Sequence, residues 1–354
     1  MRVIIVGTGF VANMHAEILR DMGHELVAVV GRTLQSASFF SKKWQIPTYS
    51  THLQEVVQES DCVHICTPPL LHYPQVRQAL MAGKHVLCEK PLTISSNKAK
   101  ELWELAKSKN VVAAVNFNVR FHQAGTHIKS IIRASDFGSI RMIHGSYLQD
   151  FHADNDIYNW RYQSEKGGPM RAVTEIGSHW IDLVRYCTDL EISSVLANFA
   201  HFQPERRLKK DGKIYEDITS EGKKIRVESE DAATLFLRFS NGAIGNVVLS
   251  EVHHGKKNEL TLHITGSQQS IFWNNEIPYQ IQIGQKNAGI KTLSHPFGGG
   301  FIDTFRQLFR AVYHHIGNRK SPIQFPTFED GYRNALVCEA IYQSATTGNI
   351  WKNV

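Results

Sequence analysis

Apolar residues follow two rhythms along this chain. In the first 120 residues, short unbroken apolar runs alternate with longer stretches of helical period. The runs are RVIIV (2–6), ELVAVV (25–30), CVHIC (62–66), HVLC (85–88) and VVAAV (111–115). A strand buried on both faces shows no polar alternation, so each run predicts a strand inside a parallel sheet. Between them the spacing predicts helices over about 12–22, 34–44, 51–58, 72–82 and 95–108. Strand–helix alternation of this kind gives a sheet covered by helices on both faces.

After residue 120 the rhythm changes. A helix is predicted over about 122–134, a strand over 140–149 and a helix over about 175–188, with a loop rich in Asp, Asn and aromatic residues between the last two. Strands then dominate. Residues 233–252 (ATLFLRFSNGAIGNVVLSEV) predict a hairpin whose Asn241-Gly242 pair supplies the positive φ angles of a tight turn. LTLHITG (260–266) and SIFWN (270–274) read as further antiparallel strands, and helices over about 300–316 and 330–346 close the chain. The expected fold is α/β in class. A parallel α/β domain over 1–119 precedes an α+β domain over 120–354 with a large, mostly antiparallel sheet.

Composition narrows the class. A chain of 354 residues is too long for one ordinary core, and 42% apolar with 20% charged residues is the profile of a soluble globular protein. No apolar run reaches the ~18 residues of a membrane helix. The N-terminus reads as a first strand and not as a signal peptide, so a cytoplasmic protein is expected. Five cysteines (Cys62, Cys66, Cys88, Cys187, Cys338) sit mostly in apolar contexts and read as free thiols, without the second ligand pair of a zinc site. The net charge of +6 suggests an anionic ligand as readily as a nucleic acid. The densest charge run, 204–217, mixes both signs and reads as a solvated loop, not a nucleic-acid patch.

Candidate chemistry begins at Gly7-Thr8-Gly9-Phe10-Val11-Ala12, between the first strand and the first helix. This is the G-x-G-x-x-G/A pattern of a Rossmann dinucleotide fold. Gly7 permits the tight turn, Gly9 lets a phosphate approach the backbone, and Ala12 lets helix and strand pack closely. The second strand ends in Arg32-Thr33, with no acid to bind a ribose 2′-hydroxyl. A guanidinium there can hold a 2′-phosphate bidentately, which favours NADP, or it can stack on adenine, which leaves NAD open. Two further strands run into Thr67-Pro68-Pro69, with His72 in the next turn, and into Glu89-Lys90-Pro91. Both strand ends belong at the carboxyl edge of the sheet, where open α/β folds bind ligands.

These stretches carry a family resemblance. GTGFVANMHA, TPPLLH, GKHVLCEKPL and GGPMRAVTEIGSHWIDL resemble, in order, the motifs of the glucose–fructose oxidoreductase/inositol dehydrogenase (Gfo/Idh/MocA) family. YLQDF, NWR and GGPMRA are similar to its levoglucosan dehydrogenase branch, although Met170 stands where that branch has serine. The resemblance implies an oxidoreductase that moves a hydride between nicotinamide and a secondary hydroxyl of a cyclic sugar, anhydrosugar or polyol. Lys90 is implied beside both nicotinamide and substrate, often before a cis proline. It also implies His179 as acid/base and a carboxylate four residues earlier as its helper. That position holds Glu175 instead of aspartate, which displaces the carboxylate by ~1.5 Å. Arg120 matches a position near the cofactor.

The chemistry asks for these residue types. An imidazole can take a proton near neutral pH, an ammonium stabilises a developing alkoxide, and a carboxylate can orient the imidazole. A metal at Glu175/His179 lacks a third ligand, so none is expected. Gln149, Trp160 and Arg161 are candidate substrate contacts, since sugars stack their C–H faces on rings and need polar partners. The resemblance further implies a homodimer or homotetramer formed through the open sheet. The alternative function is a non-catalytic sensor that binds dinucleotide and sugar.

Overall fold

The computed structural model describes residues 1–153, 160–208, 214–215, 223–294 and 299–354. Part of the 204–217 run and of the segment before Trp160 therefore lies outside the described residues. The chain forms two units, Met1–Asn118 with Phe301–Ala335, and Val119–Gly300 with Leu336–Val354. Residues 301–335, expected within the second domain, thus return to the first unit.

The first unit carries six parallel strands: β1 (Arg2–Val6), β2 (Glu25–Val30), β3 (Thr48–Ser50), β4 (Cys62–Ile65), β5 (His85–Cys88) and β6 (Ala113–Val115). Helices α1 (Phe10–Asp21), α2 (Leu34–Trp44), α3 (Leu53–Val56), α4 (His72–Met81) and α5 (Ser96–Ser108) connect them. The strand order β3-β2-β1-β4-β5-β6 reverses direction between β1 and β4, the switch point where doubly wound sheets bind ligands. Val3 to Val6 are almost wholly buried, as their unbroken apolar run demands. Near the C-terminus Gly331 presses on β6 and the turn after β5. A Cβ there would lie 2.8 Å from Val115 and 2.9 Å from Leu92.

The second unit opens with α6 (Gln123–Arg133), β7 (Ile140–Leu148), α7 (Ser164–Gly167) and α8 (Ser178–Thr188). Strands follow: β8 (Ile192–Ala200), β9 (Glu205–Leu208), β10 (Ile214–Tyr215), β11 (Lys223–Arg226), β12 (Ala232–Phe239), β13 (Ile244–Ser250), β14 (Glu259–Gly266), β15 (Gln269–Asn274), β16 (Gln280–Gln285) and β17 (Gly289–Ser294). Of the remaining elements, α9 (Phe301–Gly317) belongs to the first unit, α10 (Phe328–Thr346) is divided between the two after Ala335, and β18 (Lys352–Asn353) belongs to the second. Among the described residues a nine-stranded sheet runs β17-β16-β15-β14-β7-β13-β12-β8-β18. Its pairings are antiparallel except β7 with β13. On β12, Ala233, Leu235, Leu237 and Phe239 face the core while Phe236 faces out, the period of a half-buried strand.

Two local expectations are corrected. The run read as a solvated loop contains β9, which pairs with β10 and β11, because Arg206 turns inward to a buried partner, Tyr162. In the β12–β13 hairpin only Gly242 takes a positive φ, at 86°. Phe239 donates its N–H to the carbonyl of Ala243, which closes a three-residue loop that needs one left-handed residue instead of two.

Candidate active site

At the carboxyl edge of the first unit's sheet, Gly7 has φ of +115°, and a Cβ there would lie 2.6 Å from the Cys66 carbonyl. Only glycine fits. Gly9 is the N-cap of α1, with no side-chain cap and no acid in the first turn. A Cβ on Gly9 would meet nothing within 4 Å. The free N–H groups and positive end of α1 therefore face open space, which fits a pyrophosphate. Ala12 is fully buried, whereas Phe10 is 78% exposed, with Thr8 and Val11 between those extremes. After β2, Arg32 is exposed. The Thr33 hydroxyl accepts the N–H of Ser36 at 3.1 Å, so it caps α2.

At the next strand ends, the Thr67 hydroxyl donates to Gln75 at 2.6 Å. Pro68 leads into a single 3-10 turn over Pro69–Leu71. His72, expected to touch the cofactor, is fully buried instead. Its ring nitrogens lie 2.8 Å from the Pro91 carbonyl and 2.7 Å from that of Thr67, so it ties the two strand-end turns together. Burial holds its pKa below the ordinary value, against the pull of those carbonyls. The Lys90–Pro91 bond is cis.

Glu89 also points inward. It accepts from Nε2 of His15 at 2.9 Å and from the Asn116 amide. Burial pushes its pKa up, but the hydrogen bonds from His15 and Asn116 and the Lys90 charge outweigh that and hold it low. His15 Nδ1 lies 2.9 Å from Nδ1 of His64, whose Nε2 lies 2.8 Å from the Tyr313 hydroxyl. One assignment satisfies every contact: Tyr313 donates to His64, His64 to His15, and His15 to the carboxylate. Sequence reading passed over both histidines. The signal was there, since His64 interrupts a strand buried on both faces and His15 lies on the packed side of α1.

In the second unit, Val173–Gly177 winds as a π turn that runs into α8, a feature frequent at functional sites. This turn carries Glu175, and α8 carries His179 with its Nδ1 buried. Two glycines let the helix press on the sheet. A Cβ on Gly145 would sit 2.9 Å from the Trp180 indole nitrogen, and one on Gly177 would sit 2.6 Å from Leu249. Trp180 then donates to the Thr261 carbonyl at 3.1 Å and fixes the rotation of α8.

Arg161 stacks its guanidinium over Trp160 at 4.5 Å and pairs with Glu175 at 3.0 Å. Three of the predicted residues therefore meet. Gln149 is buried and donates to Asn258 at 2.6 Å. Arg120 makes a buried bidentate pair with Asp182 of α8, both contacts 2.6 Å. No group of three His, Cys, Asp or Glu among the described residues could hold a metal.

Residues 1–117 match the description "Oxidoreductase family, NAD-binding Rossmann fold", and residues 126–272 match "GFO/IDH/MocA C-terminal domain". A levoglucosan dehydrogenase of Pseudarthrobacter phenanthrenivorans is 33% identical over 309 residues, which is 80% of this chain and 77% of that protein. The chain belongs to the GFO/IDH/MocA oxidoreductase family. Among solved structures, a levoglucosan dehydrogenase in complex with NADH and levoglucosan superposes with a TM-score of 0.89 at 27% identity, covering 100% of this chain and 99% of that one. An inositol dehydrogenase homologue from Azotobacter vinelandii, complexed with NAD+, shares the fold at 22% identity and a TM-score of 0.85, covering 100% and 97% of the two chains. In this GFO/IDH/MocA chain the first unit is the NAD-binding Rossmann fold, and its glycine turn supplies the uncapped helix end described above.

Proposed function

We propose that this protein is an NAD(P)-dependent dehydrogenase that oxidises a secondary hydroxyl of a cyclic sugar, anhydrosugar or polyol in the cytoplasm. The observation that carries the reading is the retention of two groups in their motif contexts. Lys90 follows β5 at a cis Lys90–Pro91 bond, and His179 lies on α8, in a chain 33% identical to a levoglucosan dehydrogenase.

A nicotinamide dinucleotide, when bound, would supply the hydride acceptor. Gly7–Ala12 and the first turn of α1 would hold its pyrophosphate, with Thr8, Phe10 and Val11 of the same turn and Thr67-Pro68 of the neighbouring strand end as further contacts. Exposed Arg32 supports a 2′-phosphate and so NADP, whereas the solved levoglucosan dehydrogenase complexes hold NADH. His179 takes the hydroxyl proton at Nε2, since Nδ1 is buried. The Lys90 ammonium holds the substrate oxygen and stabilises the alkoxide. Glu175, paired with Arg161, supports the charge that forms on His179, and Trp160, Arg161 and Gln149 frame the substrate. His72 and Glu89 act through the turns that they anchor, and Arg120 acts through Asp182 and α8.

The test is the absorbance of reduced nicotinamide with a sugar panel that includes levoglucosan. Wild type is expected to turn over. Lys90→Met and His179→Ala are expected to lose at least about 100-fold in kcat. Tight dinucleotide binding without turnover on any sugar would establish the sensor reading instead.

The outward face of the large sheet supports a homodimer or homotetramer. Phe236 is 52% and Ile244 58% exposed there, and Met142 and Trp351 join them around an apolar pocket of about 350 Å³. Light scattering of the purified protein decides this.

A further inference from the structure

Two consecutive acids in the second unit grip the residue that starts the helix carrying Glu175 and His179. Glu230 is fully buried just before β12. Its carboxyl accepts the main-chain N–H of Arg171 at 3.0 and 3.1 Å and that of Val173 at 2.8 Å. Those are first-turn donors of the helical segment that begins at Ala172–Val173, where no local side chain caps the helix. Asp231, the next residue, pairs with the Arg171 guanidinium, which also meets Glu251 at 2.8 Å. Arg171 is almost wholly buried, as are Asp231 and Glu251. Asp231 further accepts the N–H of Phe202 at 2.7 Å, so the grip is anchored behind.

We propose that Glu230 is a positioning residue for the reaction, a remote N-cap that sets the π turn and the rotation of His179 from outside the reacting groups. The proposal rests on the dehydrogenase reading for its catalytic consequence but not for its structural one. A carboxylate at a helix N-terminus both fills orphan donors and favours the dipole. Here it comes from the residue pair before β12, 57 residues from Val173 and 59 from Arg171 along the chain, so the start of the catalytic helix is fixed to the sheet and not to its own local sequence.

Burial raises the Glu230 carboxyl to about 7, opposed by the two main-chain N–H groups and by Arg171. The charged or titratable groups around it are the Arg171 guanidinium, Asp231 and Glu251 beyond that guanidinium, and Cys338 of α10, whose thiol is pushed up to about 12 by burial and then by Glu230. A raised carboxyl favours folding fully below its unfolded pKa of about 4.5, and that contribution is lost as pH rises through about 7.

The experiment uses the full chain as wild type, Glu230→Gln and Glu230→Ala. It measures hydrogen exchange of the 171–180 amides at pH 6 and 8, and turnover with NAD+ and levoglucosan. Glu230→Ala is expected to speed exchange at Arg171, Val173 and the following turn by about 10-fold or more, the loss of a buried acceptor. It should lower kcat by about 10-fold and leave the KM for NAD+ within about 2-fold, as misplacement of a reacting group predicts. Glu230→Gln keeps an acceptor oxygen and no charge. It should keep exchange within about 3-fold of wild type while losing the wild type's change in protection between pH 6 and 8.

Unchanged exchange at 171–180 in Glu230→Ala, or the same pH response in Glu230→Gln as in wild type, overturns the proposal. If Glu230→Ala does not fold, the Glu230→Gln comparison decides. If wild type turns over no sugar, the dehydrogenase reading fails while exchange still decides the cap.

Discussion

Nδ1 of His15 lies 2.9 Å from Nδ1 of His64 in the interior of the first unit, between the helix of the glycine turn and the strand beside β5. Two like nitrogens at that distance require one ring to donate and the other to accept. The chain from Tyr313 to Glu89 settles which. The pair therefore links the phosphate-turn helix to the residue before Lys90, in a part of the molecule where water supplies no alternative partner.

Burial, then the neighbouring His15 and His24, hold His64 well below the ordinary histidine range. A depressed histidine contributes stability that is complete above its unfolded pKa of about 6.5 and is lost as pH falls below it. Wild type should lose Tm steeply below pH ~6.5, and His64→Leu, with no ring to protonate, should lose less. At pH 8 the variant should be less stable by ~1–3 kcal/mol, since His15 and Tyr313 lose a partner. Parallel Tm curves for the two proteins would remove His64 from the acid response.

Gly7→Ala places a Cβ 2.6 Å from the Cys66 carbonyl at a φ of +115°. The turn must shift, so NADH fluorescence should show loss of binding by at least about 10-fold with the second unit still folded. Retained affinity would mean that the cradle tolerates a side chain.

The Arg120–Asp182 pair is buried and bidentate. Asp182→Ala should cost ~3–5 kcal/mol in denaturant unfolding because a guanidinium is left without its carboxylate. Arg120→Met with Asp182→Leu should recover part of that loss. A double variant no better than the single one would assign the cost to packing of α8.

Arg161 and Glu175 act as one unit if the proposed chemistry holds. Arg161→Gln and Glu175→Gln should each reduce kcat/KM by about 10-fold, and the double variant should cost little more than either alone. Full additivity in a double-mutant cycle would separate their roles.

Arg32→Leu should raise the KM for NADP+ by about 10-fold and leave that for NAD+ within about 2-fold, if the guanidinium holds a 2′-phosphate. Equal effects on both cofactors point to stacking on adenine.

The Rossmann half was legible because its signals are local. The five strands named from sequence are apolar runs, broken inside only at His64, and Gly7 and Gly9 mark the turn. The missed strand, Thr48–Ser50, has three residues and no apolar run to announce it. In the second unit the alternation on β12 was readable, but its neighbours were not. The parallel pairing of β7 with β13 joins segments about a hundred residues apart, and no local period encodes it.

The candidate residues divide the same way. Lys90, Glu175 and His179 could be picked out by motif and spacing, because residue type and chain distance alone suggest what they can do. Sequence by itself determined the parallel sheet, the glycine cradle, the half-buried strands and the family. Tertiary structure decided which polar groups meet: His72 between two carbonyls, Glu89 turned inward to His15, and Glu230 on the N–H groups of Arg171 and Val173. The physical reason is that strand and helix propensity act over a few residues. A buried charge is tolerated only through partners that folding brings from elsewhere in the chain.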